Sequence, residues 1–165
     1  MAYTSSDVIK AIIAAAKGVA GDQWLALAQA MLTVAYIESS FNPDAIGDNG
    51  TSFGIFQLHW GGQADAFEAK YGHEAIFDPY KQATYKAGQM WDIFQGLGGA
   101  SALAADPTTF LTNFQVKAQV SITPSASRVN TAWSVAQDAS DGDWTNVSPT
   151  APDSTLQDPN APSTS

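Results

Sequence analysis

Residues 24–59 read WLALAQAMLTVAYIESSFNPDAIGDNGTSFGIFQLH, an apolar helix running into a loop of Gly, Asn, Asp and Pro. The helical pattern spans about 22–39, with Trp24, Leu27, Ala28, Met31, Val34 and Ala35 on one stripe. The next position on that stripe, three after Ala35 and four after Val34, is Glu38. No other charge lies between Asp22 and Glu38, so a lone carboxylate sits on the inner face at the helix C-terminus. Burial disfavours its ionised form, and so does the negative end of the helix dipole. Phe41, Phe53 and Phe56 follow and can supply a dry wall. A carboxylic acid that stays protonated near neutral pH suits glycoside cleavage, where the leaving oxygen must receive a proton. The plainer alternative is a glutamate that turns from a helix end to water. Glutamate is scarce, however, and the other two, Glu68 and Glu74, lie in a solvated stretch with Lys70 and His73.

The segment Ala35–His59 resembles the signature of the soluble lytic transglycosylase family. The matching elements are Glu38-Ser39, Asn42-Pro43, Ala45 and Gly54-Ile55-Phe56-Gln57. It is also similar to goose-type lysozymes, through Gly47-Asp48-Asn49-Gly50 and Phe53 to Gln57. With Thr51-Ser52, Phe56 to His59 and Gly61 to Gln63 included, it resembles lysozyme-like domains of phage virion proteins. Outside residues 35–63 the agreement is only in being helical.

The resemblance implies a lysozyme-like α+β fold, mainly helical, with a small irregular or β segment beside the catalytic helix. Glu38 would be the catalytic acid at the floor of a saccharide groove lined by Ser39, Gly54 and Gln57. The Gln57 amide suits an N-acetyl or lactyl group, and it suits a turn brace as well. Gly54 would let backbone approach substrate closely, or would simply form a strand bulge. At least one of Phe53 and Phe56 is expected in the core. The implied substrate is the peptidoglycan glycan strand, cut at the β-1,4 link between N-acetylmuramic acid and N-acetylglucosamine, with no metal or cofactor.

Two departures from the family pattern bear on mechanism. The family's later Tyr-Asn-Ala-Gly element is missing, and Thr112-Asn113-Phe114-Gln115 stands nearest by position. Tyr80 is a candidate substitute as a substrate contact, with Tyr85 behind it. Goose-type lysozymes place an aspartate two residues after the motif glutamine. Here that position is His59, read as a substrate contact or a loop cap. An inverting hydrolase needs a second carboxylate about 6.5–9.5 Å from the first. Asp48 is the catalytic candidate, and Asp44 the reserve. A lytic transglycosylase needs only Glu38, as acid and then base, and Asp48 would then cap its loop. The balance falls to the transglycosylase. Rival readings are a catalytically silent virion protein, a saccharide-binding module and a chitinase on the same fold.

The whole chain agrees with a single enzymatic domain. Its 165 residues are 45% apolar, and it has no cysteine, so no disulfide or thiolate metal site is possible. His59 and His73 lack partners at metal-ligand spacing. Seven basic against 16 acidic residues give a net charge of −9, which argues against a nucleic-acid partner and against long-range attraction to an anionic wall. No stretch approaches a membrane span. Ala11 to Ala16 is apolar, but Asp7 precedes it and Lys17 interrupts it, so it reads as helix rather than export signal. Delivery by lysis or within a phage particle is the expectation, with a virion or cell-wall location.

Elsewhere, Ser5 or Ser6 is expected to cap a first helix that stops near Gly18. Helices are expected over 79–95, 107–118 and 125–138, and Gly54 to Leu58 as a strand or extended segment. The lysozyme-like domain is placed at 1–139. Residues 140–165 hold four of eight prolines, four aspartates and no basic residue. They read as an extended or disordered tail, or as a strand docking on other virion proteins.

Overall fold

The computed structural model describes residues 2–152. These comprise seven α-helices and one three-stranded antiparallel sheet, in the order α1 Ser5–Ala20, α2 Trp24–Ser39, β1 Ile46–Gly47, β2 Ser52–Phe53, β3 Leu58–His59, α3 Gln63–Tyr71, α4 Pro79–Gly96, α5 Gly99–Ala105, α6 Pro107–Gln119 and α7 Ala126–Ser140. This is the mainly helical α+β architecture expected of a lysozyme-like fold.

Helix α2 is the axis. Its buried residues (Leu27, Ala28, Ala30, Met31, Leu32, Thr33, Val34, Ala35, Ile37 and Ser39) cover every side, because α1 and α7 flank it and α4, α5 and α6 touch it too. A helix apolar all round belongs in a core. Asp22, expected to open it, lies in a separate turn of 3-10 helix, Gly21–Gln23. At its other end Ser40 and Phe41 both take left-handed φ, 53° and 63°, which few non-glycine residues adopt. The Phe41 ring packs edge-on against Tyr36, 5.4 Å away. The Ser5 hydroxyl donates to Phe41 O at 3.1 Å, tying the reversal to α1.

Helix α1 starts one or two residues earlier than a cap at Ser5 or Ser6 implies. Thr4 caps it, with its Oγ1 accepting from Asp7 N and its own N–H donating to the Asp7 carboxylate. It also runs past Gly18 to Ala20. Gly18 serves packing rather than termination: a Cβ there would stand 1.8 Å from Thr150 O. Residues 141–152 form a strap without helix or strand that crosses α1 at this point. Thr150 N donates to Ala14 O at 2.9 Å, and Lys17 Nζ donates to Trp144 O and Val147 O. Lys17 also sits over the Trp24 ring, 4.8 Å from its centroid. The tail expected over 140–165 therefore includes a docked portion; residues 153–165 lie outside the described residues.

The segment Gly54 to Leu58 is not a strand. Residues 54–57 form the tight connection between β2 and β3, paired Ser52↔His59 and Phe53↔Leu58. Its apolar character has another cause: Ile55 and Phe56 are driven into the core and fully buried. Phe53 is buried as well, its ring 5.2 Å from Trp60 and 6.1 Å from both Phe67 and Phe77. Helices α3 and α5 were not expected. The inward face of α3 is only Gln63, Ala64 and Phe67, too narrow for a clear periodicity. Gly98 and Gly99, both at positive φ, obscure the start of α5. No described helix is long and apolar enough to cross a membrane.

Gly18→Ala should dislodge the strap from α1 at a cost of about 1–3 kcal/mol, the usual range for overpacking. The expected result is faster amide exchange and proteolysis over 141–152, with the far-ultraviolet dichroism of the helices kept. Unchanged protection of the strap would contradict this role for Gly18.

Candidate active site

The last turn of α2 delivers Glu38, half-buried, to the floor of a cleft of about 880 Å³. Phe56, Lys86 and Gln115 share the floor. The hairpin side supplies Asp48, Ser52, Gln57, Leu58 and His59. The opposite rim is the connection from α6 to α7, with Gln119, Val120, Ile122 and Pro124, and then Arg128. The sequence places Glu38 there because α2 must bury its apolar surface, and the stripe ends on a carboxylate.

Loss of hydration pushes the Glu38 carboxyl above its ordinary value, and the nearby Asp48 charge adds to this. Three groups oppose the rise. Gln115 Nε2 donates to Glu38 Oε1 at 2.8 Å, and the charges of Arg128 and Lys86 favour the carboxylate. Both cations have anchors of their own. The Arg128 guanidinium donates to Ile37 O at 2.9 Å, and Lys86 Nζ donates to Gln63 Oε1 and Ala118 O at 3.0 and 2.8 Å. The Glu38 carboxyl thus has a neutral donor in contact.

On the hairpin wall Ser52 Oγ donates to Asp48 Oδ2 at 2.7 Å and lies 2.9 Å from His59 Nδ1. The hydroxyl has one proton, so when it is given to Asp48 the bond to His59 is made by an Nδ1–H donating to Ser52 Oγ. Asp48 and Asn49 hold φ of 52° and 57° in the turn that presents the carboxylate. Gln57 lines the cleft and braces its loop at once, because its Nε2 donates to Ala45 O at 3.2 Å and Gly54 O at 2.9 Å.

Three residues expected in the groove stand elsewhere. Ser39 is buried behind it, its Oγ between Ala35 O at 2.8 Å and Ile55 O at 3.0 Å. Its hydroxyl ties the end of α2 to the hairpin by sharing its one proton between these two carbonyls. Gly54, with φ of 81°, makes room for a buried side chain: a Cβ there would fall 1.8 Å from Gln82 Nε2. Gln82 in turn donates to Ile76 O at 2.6 Å. Tyr80 is outside the cleft, its ring 6.2 Å from Tyr3, and burial together with Asp7 raises its phenol. Tyr85 is buried against Phe67 at 5.5 Å and is not a groove residue either.

The polar group beside Glu38 is instead Gln115, in the segment that stands where the family's tyrosine element is missing. Lys86 and Arg128 also escaped the sequence reading. Lys86 carried the same signal as Glu38, a charge on a buried stripe: Ala83, Lys86, Ala87 and Met90 are all buried at helical spacing. Arg128 is the only arginine of the chain, a count that by itself marks the residue. Among the described residues no three His, Cys, Asp or Glu side chains are grouped to hold a metal ion.

Gln115→Leu removes a donor to the carboxylate and should raise the Glu38 pKa further, measured by carboxyl carbon titration in NMR. The sign for stability follows from the raised folded-state pKa. Relative to Glu38→Gln, the native protein should be favoured most at acidic pH and lose stability as pH rises through the Glu38 pKa. A native-minus-variant difference in melting temperature that is flat with pH would contradict the burial.

A family model described as the transglycosylase SLT domain matches residues 7–107, which takes in α1 to α5, the sheet and Glu38. No curated protein and no solved structure matches the chain. With Glu38 at the end of the core helix, the hairpin beside it and the family match over most of the chain, the protein belongs to the SLT transglycosylases, enzymes of the lytic transglycosylase type that degrade peptidoglycan.

Proposed function

We propose that Glu38 cleaves the β-1,4 bond between N-acetylmuramic acid and N-acetylglucosamine, leaving a 1,6-anhydro end. The protonated carboxyl gives its proton to the leaving oxygen as the bond to muramoyl C1 breaks. The carboxylate so formed takes the proton of the C6 hydroxyl, whose oxygen bonds to C1 and closes the anhydro ring. Glu38 ends protonated again, and no water is consumed. The observation that carries this reading is one carboxylate, raised by burial and held by a neutral amide, at the floor of the cleft. It is protonated easily enough to act as an acid, and nearby cations ease its return as a base.

Asp48 favours a second reading, since it shares the cleft with Glu38 and could activate water for an inverting hydrolysis. Its Oδ2 accepts from Ser52, and that bond supports a loop-holding role. Gln57 and His59, which both line the cleft, contact the sugar chain. The protein acts from a phage particle on the wall, and its tail contacts other virion proteins. The net charge of −9 supports carriage over free diffusion to an anionic surface. Antibody detection of the protein in purified particles tests that location.

Mass spectrometry of fragments from purified peptidoglycan distinguishes the chemistries. Fragments one water lighter than reducing-end sugars are expected, and reducing-end fragments would favour the hydrolase. Glu38→Gln should lower the rate about 10²–10⁴-fold, the usual worth of a positioned acid. Asp48→Asn should stay within about twofold of native for the transglycosylase and fall as far as Glu38→Gln for the hydrolase. The rate should decline as pH rises through the raised Glu38 pKa, because the acid form is then lost.

A further inference from the structure

A second groove, of about 240 Å³, shares two lining residues with the cleft and is lined by Tyr36, Ile37, Ser40, Arg128, Thr131 and Ala132. Ile37 and Arg128 line both spaces. The junction is occupied by the chain's only arginine, in a molecule of net charge −9. One of its N–H groups is committed to Ile37 O, which fixes the guanidinium at the junction. A guanidinium has five N–H donors in a planar fork suited to a carboxylate. Lys86, the other cation of the cleft, is 1% exposed and anchored to Gln63 and Ala118, so Arg128 is the exposed charge.

The substrate supplies a matching anion. Muramic acid carries a lactyl ether on C3, in the same ring as the C1 attacked at Glu38. This branch ends in a carboxylate, or continues into a peptide that bears carboxylates. A sugar seated with C1 at Glu38 must lead its branch out of the cleft within one ring's width of that residue. We infer that the side groove takes this branch and that Arg128 binds its carboxylate, making Arg128 a specificity-determining residue that separates muramoyl strands from unbranched β-1,4 glycans. The inference rests on the peptidoglycan reading of the cleft. Tyr36 lines the groove as an apolar wall, and Ser40 and Thr131 add hydroxyls within it.

The test measures dissociation constants in the Glu38→Gln background, with and without Arg128→Gln. Three soluble probes are compared: glycan strands with peptide stems, strands stripped of stems to free lactyl carboxylates, and N-acetylglucosamine oligomers of equal length. Arg128→Gln is expected to reduce the preference for muramoyl strands over the oligomers by about tenfold, the scale of one charge-assisted contact. A loss confined to stem-bearing strands assigns the peptide carboxylate, and a loss confined to stripped strands assigns the lactyl carboxylate. Equal weakening for all three probes overturns the inference and leaves Arg128 as a cap on α2. Unchanged preference overturns it as well. Failure to bind any probe in the Glu38→Gln background overturns the wall-degrading reading along with it. In the otherwise native enzyme, Arg128→Lys should keep the pH–rate profile while losing part of the preference, a split that a purely electrostatic role would not give.

Discussion

The structure depends on one carboxylate at the end of a helix that is otherwise apolar on every side. Helix α2 can be buried only because five other helices close around it. That enclosure brings Glu38 out of water and makes its protonated form the easier one to keep. The partners of this end come from far along the chain: Gln115 from α6, Arg128 from α7 through Ile37 O, and Ile55 O from the hairpin through Ser39. The last turn of α2 is therefore a meeting point, and the cleft exists where those elements cannot close over it.

The loop after α2 is held by similar means. Among the described residues six non-glycine residues have positive φ, and five of them (Ser40, Phe41, Asp48, Asn49 and Gln57) lie between the end of α2 and the end of the hairpin. Such conformations cost of order 1–3 kcal/mol in the sparsely populated regions and persist where surroundings fix them. Here the surroundings are the buried faces of Phe41, Phe53, Ile55 and Phe56 and the braces of Gln57 and Gln82. Strain concentrated beside the cleft is consistent with a wall that must present polar groups outward while its backbone stays rigid.

Much of this was legible in the sequence, for identifiable reasons. The stripe from Leu27 to Ala35 predicts both the central helix and the inward Glu38, because a 3.6-residue period carries directional information. The Asp-Pro starts of α4 and α6 are visible because cap chemistry is local: Asp78 and Asp106 do accept from backbone N–H groups two or three residues on. The misplacements share a cause in being tertiary. Gly18 resembles a helix stop until the strap crosses it, and Gly54 resembles a substrate approach until Gln82 fills the space. Ser39 adjoins Glu38 in sequence yet points to the other side of the helix. Arg128 enters the site because α7 packs on α2, which no local pattern in residues 125–138 announces.

The choice of an amide beside the acid has a physical logic of its own. A cation in direct contact would hold Glu38 as a carboxylate and weaken it as a proton donor. An apolar neighbour would hold it protonated and weaken it as an acceptor. Gln115 is neutral, and donates to the carboxylate through Nε2. Its Oε1 is buried without a partner among the described residues. Half a turn of the amide would present that oxygen to a protonated Glu38 as an acceptor, at no cost to another bond of the oxygen. The charges of Arg128, anchored on Ile37, and Lys86, anchored on Gln63 and Ala118, favour the carboxylate against the burial that opposes it. Under the mechanism we propose, in which Glu38 gives a proton and takes one back within a single turnover, such neighbours accommodate both states.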